Sequence, residues 1–466
     1  MNTAQDSIPS DSFFENLRLK EYARLDETKS IYLDYTGGNL FPLSLLEDHY
    51  QSLKSKVMGN PHSTNPSSRL STRMVATARK KVLDYFNAED YYCIFTANAS
   101  EALHIVGENY DFDNESIFLL TSDNHNSVNG IREYCHHKGG RHEYFSVNYE
   151  DLCINKSALK AGIGKYDGYK RKLFAYPAQS NVSGVRHSLE LIPWMKERGW
   201  DVLLDAAAFV PTSRLDLKKY HPDFVCLSFY KMFGYPTGIG CLLVKKDSFH
   251  KLHKQWFAGG TVTLVSVNYD SYYLAPDHER FENGTINYLG IPAIEKGLNF
   301  IESLGIERIH QRIEDLTHYL IQRLEALKHE DGRPLIRIFG PADIKDRGGN
   351  IVLNFFDPEG KPWPFELIEA TANARNISVR TGCFCNPGID EINNCLTSDS
   401  LAPYFSSRDQ GNFQDMIHFL GTMRGSIRLS VGIPTVKSDI DAFVEFAATY
   451  VNVDQVAGKK AVGENS

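Results

Sequence analysis

Lys231 lies where a charged amine is unusual, between an apolar run and a glycine-rich turn. The stretch runs VCLSFYKMFGYPTGIG, from Val225 to Gly240. One interpretation is a solvated loop lysine, which is the ordinary fate of this residue type. The other is a lysine held at the carboxyl end of a strand, where its amine can form an imine with a cofactor. The polar residues elsewhere in the sequence distinguish between a solvated lysine and an imine-forming lysine.

Polar side chains follow five consecutive predicted strands, each at the point where the strand ends. In an open parallel sheet, ligands bind beyond these carboxyl ends. The residues concerned are those of the TANASEA turn, His125, those of the AQSN loop, Asp205, Ser228, Tyr230 and Lys231. Each of them alone could be a helix cap or an ordinary surface residue. Those separate roles do not explain why all of them reach one edge of the sheet.

Pyridoxal 5′-phosphate is a cofactor that uses this whole set. It needs a lysine for the imine, an acid at the pyridine nitrogen, a cradle for its phosphate and a flat partner for its ring. The stretch TANASEALHI offers backbone amides and a hydroxyl at a helix N-terminus, which suit a dianionic phosphate. Ser228 and Tyr230 can add hydroxyl donors. Asp205 ends an apolar strand, where a buried carboxylate needs a cationic partner such as a protonated ring nitrogen.

The elements that must position these residues alternate between strands and helices. This alternation predicts an α/β fold with parallel pairing, helices on both faces of the sheet and right-handed crossovers. Near residue 295 the pattern changes to one long helical stretch, followed by shorter strands and a final helix. We expect an N-terminal arm at 1–30 that packs on the small domain, a large cofactor-binding domain at 31–295, a small α+β domain at 296–455 and a flexible tail at 456–466.

The composition is that of a soluble globular protein, with 42% hydrophobic and 23% charged residues among 466. No apolar run reaches the roughly 18 residues that a membrane span needs, and the polar N-terminal segment lacks a signal-peptide pattern. The net charge of −8 argues against nucleic acid as a partner. Eight scattered cysteines indicate reduced thiols in a cytoplasmic protein. A dinucleotide-binding dehydrogenase is excluded because no G-x-G-x-x-G follows the first strand.

Cys383 and Cys385 stand close together in RTGCFCNPG, just after the predicted strand ISVR. Three interpretations stay open. Both thiols could be buried and inert, or they could bind zinc, although no second pair stands at metal-ligand spacing. The third is a nucleophile, which requires a thiolate that Arg380 could help to stabilise. The polar segment from Asn386 to Gly421 is predicted to be a long loop that could let the cysteines swing.

The chain as a whole resembles the class V aminotransferase superfamily of fold-type I pyridoxal-phosphate enzymes, in its cysteine desulfurase branch. The match runs from YLDYTGG near residue 32 to IRLSVGIP near residue 434. Within that branch it most resembles the N-terminal domain of the molybdenum cofactor sulfurases. This likeness is carried by GNPHS, PTSRLDLKKYHPDFVCLSFYKMFGYPTGIG, FENGT and RTGCFCNPG. The resemblance implies a mostly parallel seven-stranded sheet between helices, and a small domain that carries the cysteine loop.

The resemblance also implies a role for each candidate residue. Lys231 would carry the cofactor and move the Cα proton, and Cys385 would be the nucleophile, with Cys383 where a histidine often stands. The remaining implied contacts are Asp205 at the pyridine nitrogen, His125 on the ring, Ala99, Ser100, Ser228 and Tyr230 at the phosphate, Asn181 at the substrate carboxylate and ring oxygen, Arg428 at the substrate carboxylate, and Thr285 at the phosphate of a neighbouring subunit. The last contact implies a homodimer.

Three departures from the family pattern bear on these roles. Tyr230 stands where many desulfurases have a histidine that also binds phosphate. Ala208 stands where many have a glutamine, so the contact to the ring hydroxyl must come from Asn181 or Gln179. Molybdenum cofactor sulfurases continue into a further domain that accepts the sulfur, and this sequence does not extend to it.

The implied activity is a desulfurase reaction on L-cysteine. Its products are alanine and a persulfide on Cys385, from which an unidentified acceptor takes the sulfur. One alternative is a C–S lyase, an aminotransferase or a decarboxylase on the same scaffold, none of which needs Cys385. An alternative of another class is a non-catalytic scaffold for a sulfur-accepting partner. The presence of Lys231, Asp205 and Arg428 argues against that last alternative.

Overall fold

The computed structural model describes residues 11–341, 343–421 and 424–455. Its helices are α1 (Asp11–Glu21), α2 (Arg24–Glu27), α3 (Leu43–Ser55), α4 (Pro66–Tyr85), α5 (Ala99–Asn109), α6 (Asn126–Asn129), α7 (Ile131–His137), α8 (Lys156–Gly162), α9 (Leu191–Lys196), α10 (Phe229–Phe233), α11 (Pro292–Leu304), α12 (Ile306–Glu325), α13 (Phe365–Asn373), α14 (Pro387–Asn393), α15 (Ser398–Ser406), α16 (Phe413–Leu420) and α17 (Lys437–Ala448). Its strands are β1 (Ile31–Tyr32), β2 (Tyr91–Thr96), β3 (Ser116–Thr121), β4 (Arg141–Phe145), β5 (Arg171–Pro177), β6 (Asp201–Asp205), β7 (Phe224–Ser228), β8 (Gly240–Lys245), β9 (Val262–Ser266), β10 (Ser271–Leu274), β11 (Ile336–Phe339), β12 (Asn350–Phe355), β13 (Ile377–Ser378), β14 (Arg380–Gly382) and β15 (Ser426–Ser430). The tail predicted at 456–466 lies outside the described residues.

A seven-stranded sheet with the order β2-β8-β7-β6-β5-β3-β4 forms the larger part of the protein. Strand β8 runs antiparallel to both of its neighbours, and the other pairs are parallel. Strands β3 and β7 are buried along their whole length, as expected for a sheet covered by helices on both faces. The predicted α/β fold with a mostly parallel sheet is confirmed.

The register of the parallel strands brings their carboxyl ends to one edge. Asp205 at the end of β6 pairs in register with Cys226 on β7, and Pro177 at the end of β5 pairs with Asp205. Residues that follow these ends therefore emerge side by side. This register explains how candidate residues from distant parts of the sequence reach one place.

The second part of the protein is built around a four-stranded antiparallel sheet with the order β11-β12-β15-β14. The long helical stretch predicted before it is two helices, α11 and α12. Gly305 separates them, because its φ of +82° lies in the left-handed region that favours glycine. Helix α17 packs against α12 and closes this part of the fold.

The segment predicted as a long loop from Asn386 to Gly421 instead contains helices α14, α15 and α16. Each begins at a polar residue whose side chain accepts a backbone N–H bond of the first turn. These caps are Asn386, Thr397 and Asn412. Such caps favour helix formation even in a polar segment, because they satisfy donors that the first turn leaves free. The composition alone therefore gave the wrong structure here.

The two sheets are tied together around the loop AQSN. Asn350 on β12 donates to the carbonyl oxygens of Ser180 and Val182 and accepts a bond from Gln179. Arg347, which is 1% exposed, donates to the carbonyl of Ser183. Contacts from the small sheet thus fix the loop that carries Asn181.

The N-terminal part of the chain also contacts the small sheet and its helices. Strand β1 pairs in parallel with β13, and Arg18 on α1 forms an ion pair with Asp439 on α17. Throughout the described ranges, no helix combines the length and the apolar character needed to cross a membrane. The thiols of all eight cysteines are free.

Candidate active site

One cavity of about 370 Å³ at the carboxyl edge of the large sheet is lined by most of the predicted site residues. Eight of them meet there: Ala99, Ser100, His125, Asn181, Asp205, Ser228, Tyr230 and Lys231. Gln179, Ala207, Thr237 and Gly238 also line it. A larger cavity of about 810 Å³ lies elsewhere, between the large sheet and α12, and contains no lysine paired with a carboxylate at a strand end. The chemistry favours the smaller cavity.

Lys231 lies on the short helix α10, just after β7 ends at Ser228. The prediction placed it at the strand end itself, whereas the structure adds most of a helical turn. Gly234 ends this helix with φ +77°, and a side chain there would overlap the backbone at Leu40 and Phe41. The close passage of that segment therefore fixes where the helix stops. Met232 and Phe233 are buried beside Lys231 and anchor the turn that carries it.

The environment of Lys231 lowers the pKa of its amine. Burial is the main cause, and the nearby guanidinium of Arg428 acts in the same direction. The carboxylate of Asp205 opposes this shift, and Cys226 and Cys385 oppose it to a smaller extent. A lowered pKa leaves more of the amine neutral near neutral pH, as a nucleophile or a general base requires.

Asp205 ends β6 and faces the same cavity. One of its carboxylate oxygens accepts the backbone N–H of Ala207 at 3.0 Å, which fixes its orientation. Among the described residues, no lysine, arginine or histidine forms an ion pair with it. A half-buried carboxylate without a cation fits a ligand that brings its own positive charge, such as a protonated pyridine nitrogen.

The N-terminus of α5 also lines the cavity. Asn98 caps the helix by accepting the N–H of Glu101, and this places Ala99 and Ser100 in the first turn. The N–H of Ala99 donates to the hydroxyl of Ser228 at 2.8 Å, so two predicted phosphate ligands meet there. The hydroxyl of Ser100 bonds to that of Ser127 at 2.6 Å. Backbone amides and hydroxyls at a helix N-terminus suit a phosphate group.

His125 precedes α6 and caps it, accepting the N–H of Ser127 through Nδ1 at 3.1 Å. This bond fixes the plane of the imidazole ring in the cavity wall. Burial lowers the pKa of His125, the carboxylate of Asp205 opposes that shift, and the amine of Lys231 adds to it. A neutral, fixed ring is able to lie flat against a planar cofactor.

Gln179, one of the two residues considered for the ring hydroxyl, offers a buried acceptor. Its Oε1 has no hydrogen-bond partner in the described structure, while its Nε2 donates to Asn350 at 3.0 Å. A buried amide oxygen without a donor is costly, so a ligand hydroxyl in this cavity would satisfy it. Of the two residues considered for the ring hydroxyl, this favours Gln179 over Asn181, whose amide bonds to the cysteine loop.

Arg428 lies on β15 outside the cavity wall and is 4% exposed. It donates to the carboxylate of Asp34 at 2.7 Å and to the backbone oxygen of Asn181 at 2.8 Å, and its Nε has no partner in the described chain. Arg380 donates to the other oxygen of Asp34. Burial lowers the pKa of Arg428 and Asp34 opposes that shift. The free Nε is the donor that a substrate carboxylate could use.

Asp34 was not among the predicted site residues. Its only local signal is an acidic residue just before the glycine turn of YLDYTGG. A side chain at Gly37 would overlap the Asp34 carboxylate, so the turn has to leave room for it. Two arginines share this carboxylate, which therefore fixes how the guanidinium of Arg428 is oriented.

Cys385 is exposed and Cys383 is half-buried, in the connection between β14 and α14. Burial raises the pKa of the Cys383 thiol, which keeps that thiol protonated and less nucleophilic. The backbone oxygen of Cys385 accepts the N–H of Asn126 at 2.7 Å, directly beside His125. The loop of Cys385 thus contacts the segment after β3 that carries the cavity residue His125.

Thr285 is one of three predicted residues that do not line the cavity, and the other two are Arg428 and Cys385. It is exposed, and its hydroxyl accepts a bond from Asn60 at 3.2 Å, in the GNPHS segment. Of the residues predicted to bind the phosphate, Ala99, Ser100, Ser228 and Tyr230 line the cavity within one chain. A role for Thr285 at a phosphate requires a second subunit.

Comparison with known proteins relates most of the chain to one family. The model of the family described as "Aminotransferase class-V" matches residues 31–443. The molybdenum cofactor sulfurase of Solanum lycopersicum is 34% identical over 93% of this chain and 56% of its own length. That of Homo sapiens is 35% identical over 92% of this chain and 50% of its own length. The chain therefore spans about half the length of these relatives.

Solved structures show the same architecture. The apo structure of a cysteine desulfurase from Thermococcus onnurineus matches 94% of this chain and 98% of its own, with a TM-score of 0.78 and 25% sequence identity. Such extensive overlap means that both the large and the small sheet have counterparts in the solved structure.

Proposed function

Because the chain belongs to the class V aminotransferase family, we propose that it is a pyridoxal-phosphate-dependent cysteine desulfurase. It takes sulfur from L-cysteine, leaving alanine and a persulfide on Cys385. The observation that carries this proposal is that one cavity contains both the Lys231 amine, whose pKa is lowered by burial, and the Asp205 carboxylate, which forms no ion pair with a described residue. Cys385, whose thiol is exposed, lies in a loop whose backbone oxygen accepts the N–H of Asn126, next to the cavity residue His125.

The residues of the cavity fit pyridoxal phosphate at each of its polar groups. Asp205 would hold the pyridine nitrogen, and the fixed ring of His125 would lie against the cofactor plane. The buried Oε1 of Gln179 would accept the ring hydroxyl. The phosphate would lie at the N-terminus of α5, with Ala99, Ser100, Ser228 and Tyr230 as its ligands.

Bound pyridoxal phosphate joins covalently to amines and withdraws electrons from the substrate carbon that carries the amino group. Lys231 Nζ, once neutral, takes the proton from the substrate Cα. The Cys385 thiolate then attacks the sulfur of the substrate. The new S–S bond forms as the substrate Cβ–S bond breaks, and the electron pair of the broken bond stays with the carbon skeleton that becomes alanine.

Arg428 would bind the substrate carboxylate. Its Nε is buried and has no partner in the described structure, and Asp34 and the backbone of Asn181 fix the rest of its guanidinium. A substrate carboxylate would complete the hydrogen bonding of this side chain. The cost of leaving a buried charged donor free supports this assignment.

The sulfur acceptor would reach the persulfide from the solvent side, where Cys385 is exposed. The relatives named molybdenum cofactor sulfurases suggest an acceptor connected with that cofactor, carried by a partner protein or a further domain. The free thiols of all eight cysteines favour a reducing compartment such as the cytoplasm.

A homodimer is the second part of this proposal. The hairpin of β9 and β10 exposes apolar side chains such as Leu264 and Tyr273, and Val267 in its turn is 97% exposed. A two-stranded hairpin with such a surface needs a covering partner. The N–H of Gly284 bonds to the oxygen of Gly259 near the base of this hairpin, which places the Thr285 loop beside it. A second copy on the hairpin would then receive Thr285 at its phosphate site.

The decisive test incubates the purified protein with pyridoxal phosphate, L-cysteine and a reductant, and measures the products. We expect alanine and sulfide in equal amounts, together with a visible absorption band of the bound cofactor. Pyruvate and ammonia would show a C–S lyase instead. A protein that stays colourless and inactive would favour the scaffold alternative. Light scattering of the wild type and of Leu264→Glu, a charge placed on the hairpin, tests the homodimer separately.

A further inference from the structure

Asn386 directly follows the exposed Cys385, yet it is completely buried, with 0% of its surface exposed. Its Nδ2 donates two hydrogen bonds, to the backbone oxygen of Asp123 at 2.7 Å and to Oδ1 of Asn181 at 3.0 Å. Its Oδ1 accepts the N–H of Ile389 and so caps α14. Both amide hydrogens are therefore used in contacts with the large domain.

Asn181 completes the contact from the other side. Its Nδ2 donates to the backbone oxygen of Phe384 at 2.9 Å. We call the side-chain amides of Asn181 and Asn386 the amide clasp. Asn181 bonds to both neighbours of Cys385, the backbone of Phe384 and the side chain of Asn386. The backbone oxygen of Cys385 itself accepts the N–H of Asn126. Three consecutive residues of the cysteine loop are each hydrogen-bonded to the edge of the large sheet.

Two residues of this loop have a backbone conformation that is rare for residues with a side chain. Phe384 has φ +55° and Cys385 has φ +54°, both in the left-handed region. Residues with a Cβ rarely occupy this region, and they remain there only when surrounding contacts hold them. The amide clasp and the bond from Asn126 are contacts of this kind. Backbone strain at Cys385 indicates that the position of this side chain matters.

Asn181 links the clasp to the cavity. It lines the cavity, its backbone oxygen accepts a bond from Arg428, and its loop is held by Asn350. We propose that Asn386 is a positioning residue, which acts through Asn181 and Asp123 to hold Cys385 in place for attack on the substrate sulfur. The statement that Asn386 holds the loop rests on the structure alone. The statement that this serves attack on the substrate sulfur rests on the proposed function.

The test compares Asn386→Asp with Asn412→Asp. Asp at 386 keeps the oxygen that caps α14 but removes the two N–H donors of the clasp. Asn412 caps α16 in the same segment, and its Nδ2 donates to Asp415 on its own helix, so N412D is a matched control. Hydrogen–deuterium exchange of the peptide containing residues 383–389 is measured in the protein without cofactor. Steady-state alanine formation is then measured in the loaded protein.

We expect N386D to speed exchange of this peptide by about tenfold, because two buried hydrogen bonds are lost. We expect its kcat to fall by roughly tenfold to a hundredfold with KM unchanged, because the thiol is misplaced while the substrate site stays intact. N412D should match the wild type in both measurements. Exchange equal to that of the wild type would overturn the proposal, and so would faster exchange with an unchanged kcat.

A second variant guards against a failure of N386D to fold. A side chain at Gly388 would overlap the backbone oxygen of Ser122, so Gly388→Ala pushes α14 away from the large domain without altering either amide. It should also speed exchange at 383–389, and unchanged exchange would contradict the proposal. If the wild type makes no alanine from cysteine, the proposed function is wrong, and the exchange measurements alone decide whether the clasp holds the loop.

Discussion

The surroundings of Lys231 and Cys385 differ in a way that matches what each side chain would do. Lys231 lies among completely buried residues, including Cys226, Phe229 and Met232, and burial lowers the pKa of its amine. Cys385 is exposed and is followed by helices that leave large apolar side chains in solvent, such as Phe405 at 64%. A proton-transferring amine benefits from a dry setting, whereas a thiol that hands on sulfur must be reached from outside.

Removing the amine of Lys231 should have the largest effect on activity. Lys231→Gln should lower alanine formation by more than about a thousandfold and abolish the covalent attachment of the cofactor. Product analysis and visible absorption measure the two effects. Lys328→Gln changes an exposed lysine in the same manner, and it should retain the rate and the spectrum of the wild type. A K231Q protein that still turns over cysteine would contradict the central assignment.

Removing the thiol from the exposed region should stop sulfur transfer but leave cofactor binding intact. Cys385→Ser should reduce alanine formation by about a hundredfold or more while the absorption band persists. Cys383→Ser should have a smaller effect, because burial raises the pKa of that thiol and disfavours its thiolate. Full activity of C385S would show that the reaction is a lyase reaction and that the exposed thiol is not used.

Removing the acid of the buried region should change the pH dependence. Asp205 raises the pKa of Lys231 against the dominant effect of burial, so Asp205→Asn should lower that pKa further. The neutral amine would then persist to lower pH, and the acid limb of covalent cofactor capture should shift to lower pH. Turnover should fall by about tenfold to a hundredfold because the ring nitrogen loses its partner. Capture rates followed by absorbance across the pH range test the direction, and a shift to higher pH would contradict it.

The ion pairs of Asp34 with Arg428 and Arg380 should show the smallest effect on chemistry and a clear effect on stability. Asp34→Asn removes the shared partner of Arg428 and Arg380, and breaking a buried pair of this kind costs about 3 to 5 kcal/mol. Urea unfolding measures the loss. The KM for cysteine should rise by about tenfold as Arg428 loses its orientation, with kcat less affected. An unchanged KM would mean that Asp34 serves the fold only.

The predicted fold was confirmed where local patterns are strong. Alternating apolar strands and amphipathic helices indicated the parallel sheet, and the capped turn before α5 was recognised from TANASEA. The prediction was wrong where a polar composition was equated with a loop, because α14 to α16 depend on caps that composition does not reveal. The domain boundaries and the roles of the site residues stay predictions, and the variants above test those roles.

The sequence by itself determined which side chains gather at the sheet edge. Parallel strands in register bring their carboxyl ends together, so Asp205 and the residues after Ser228 had to meet near one another. Only the tertiary structure decided that Asp34 binds Arg428, which is 394 positions away, and that Asn386 binds Asn181, which is 205 positions away. Such contacts depend on how two sheets pack against each other, and no periodicity along the chain encodes that arrangement.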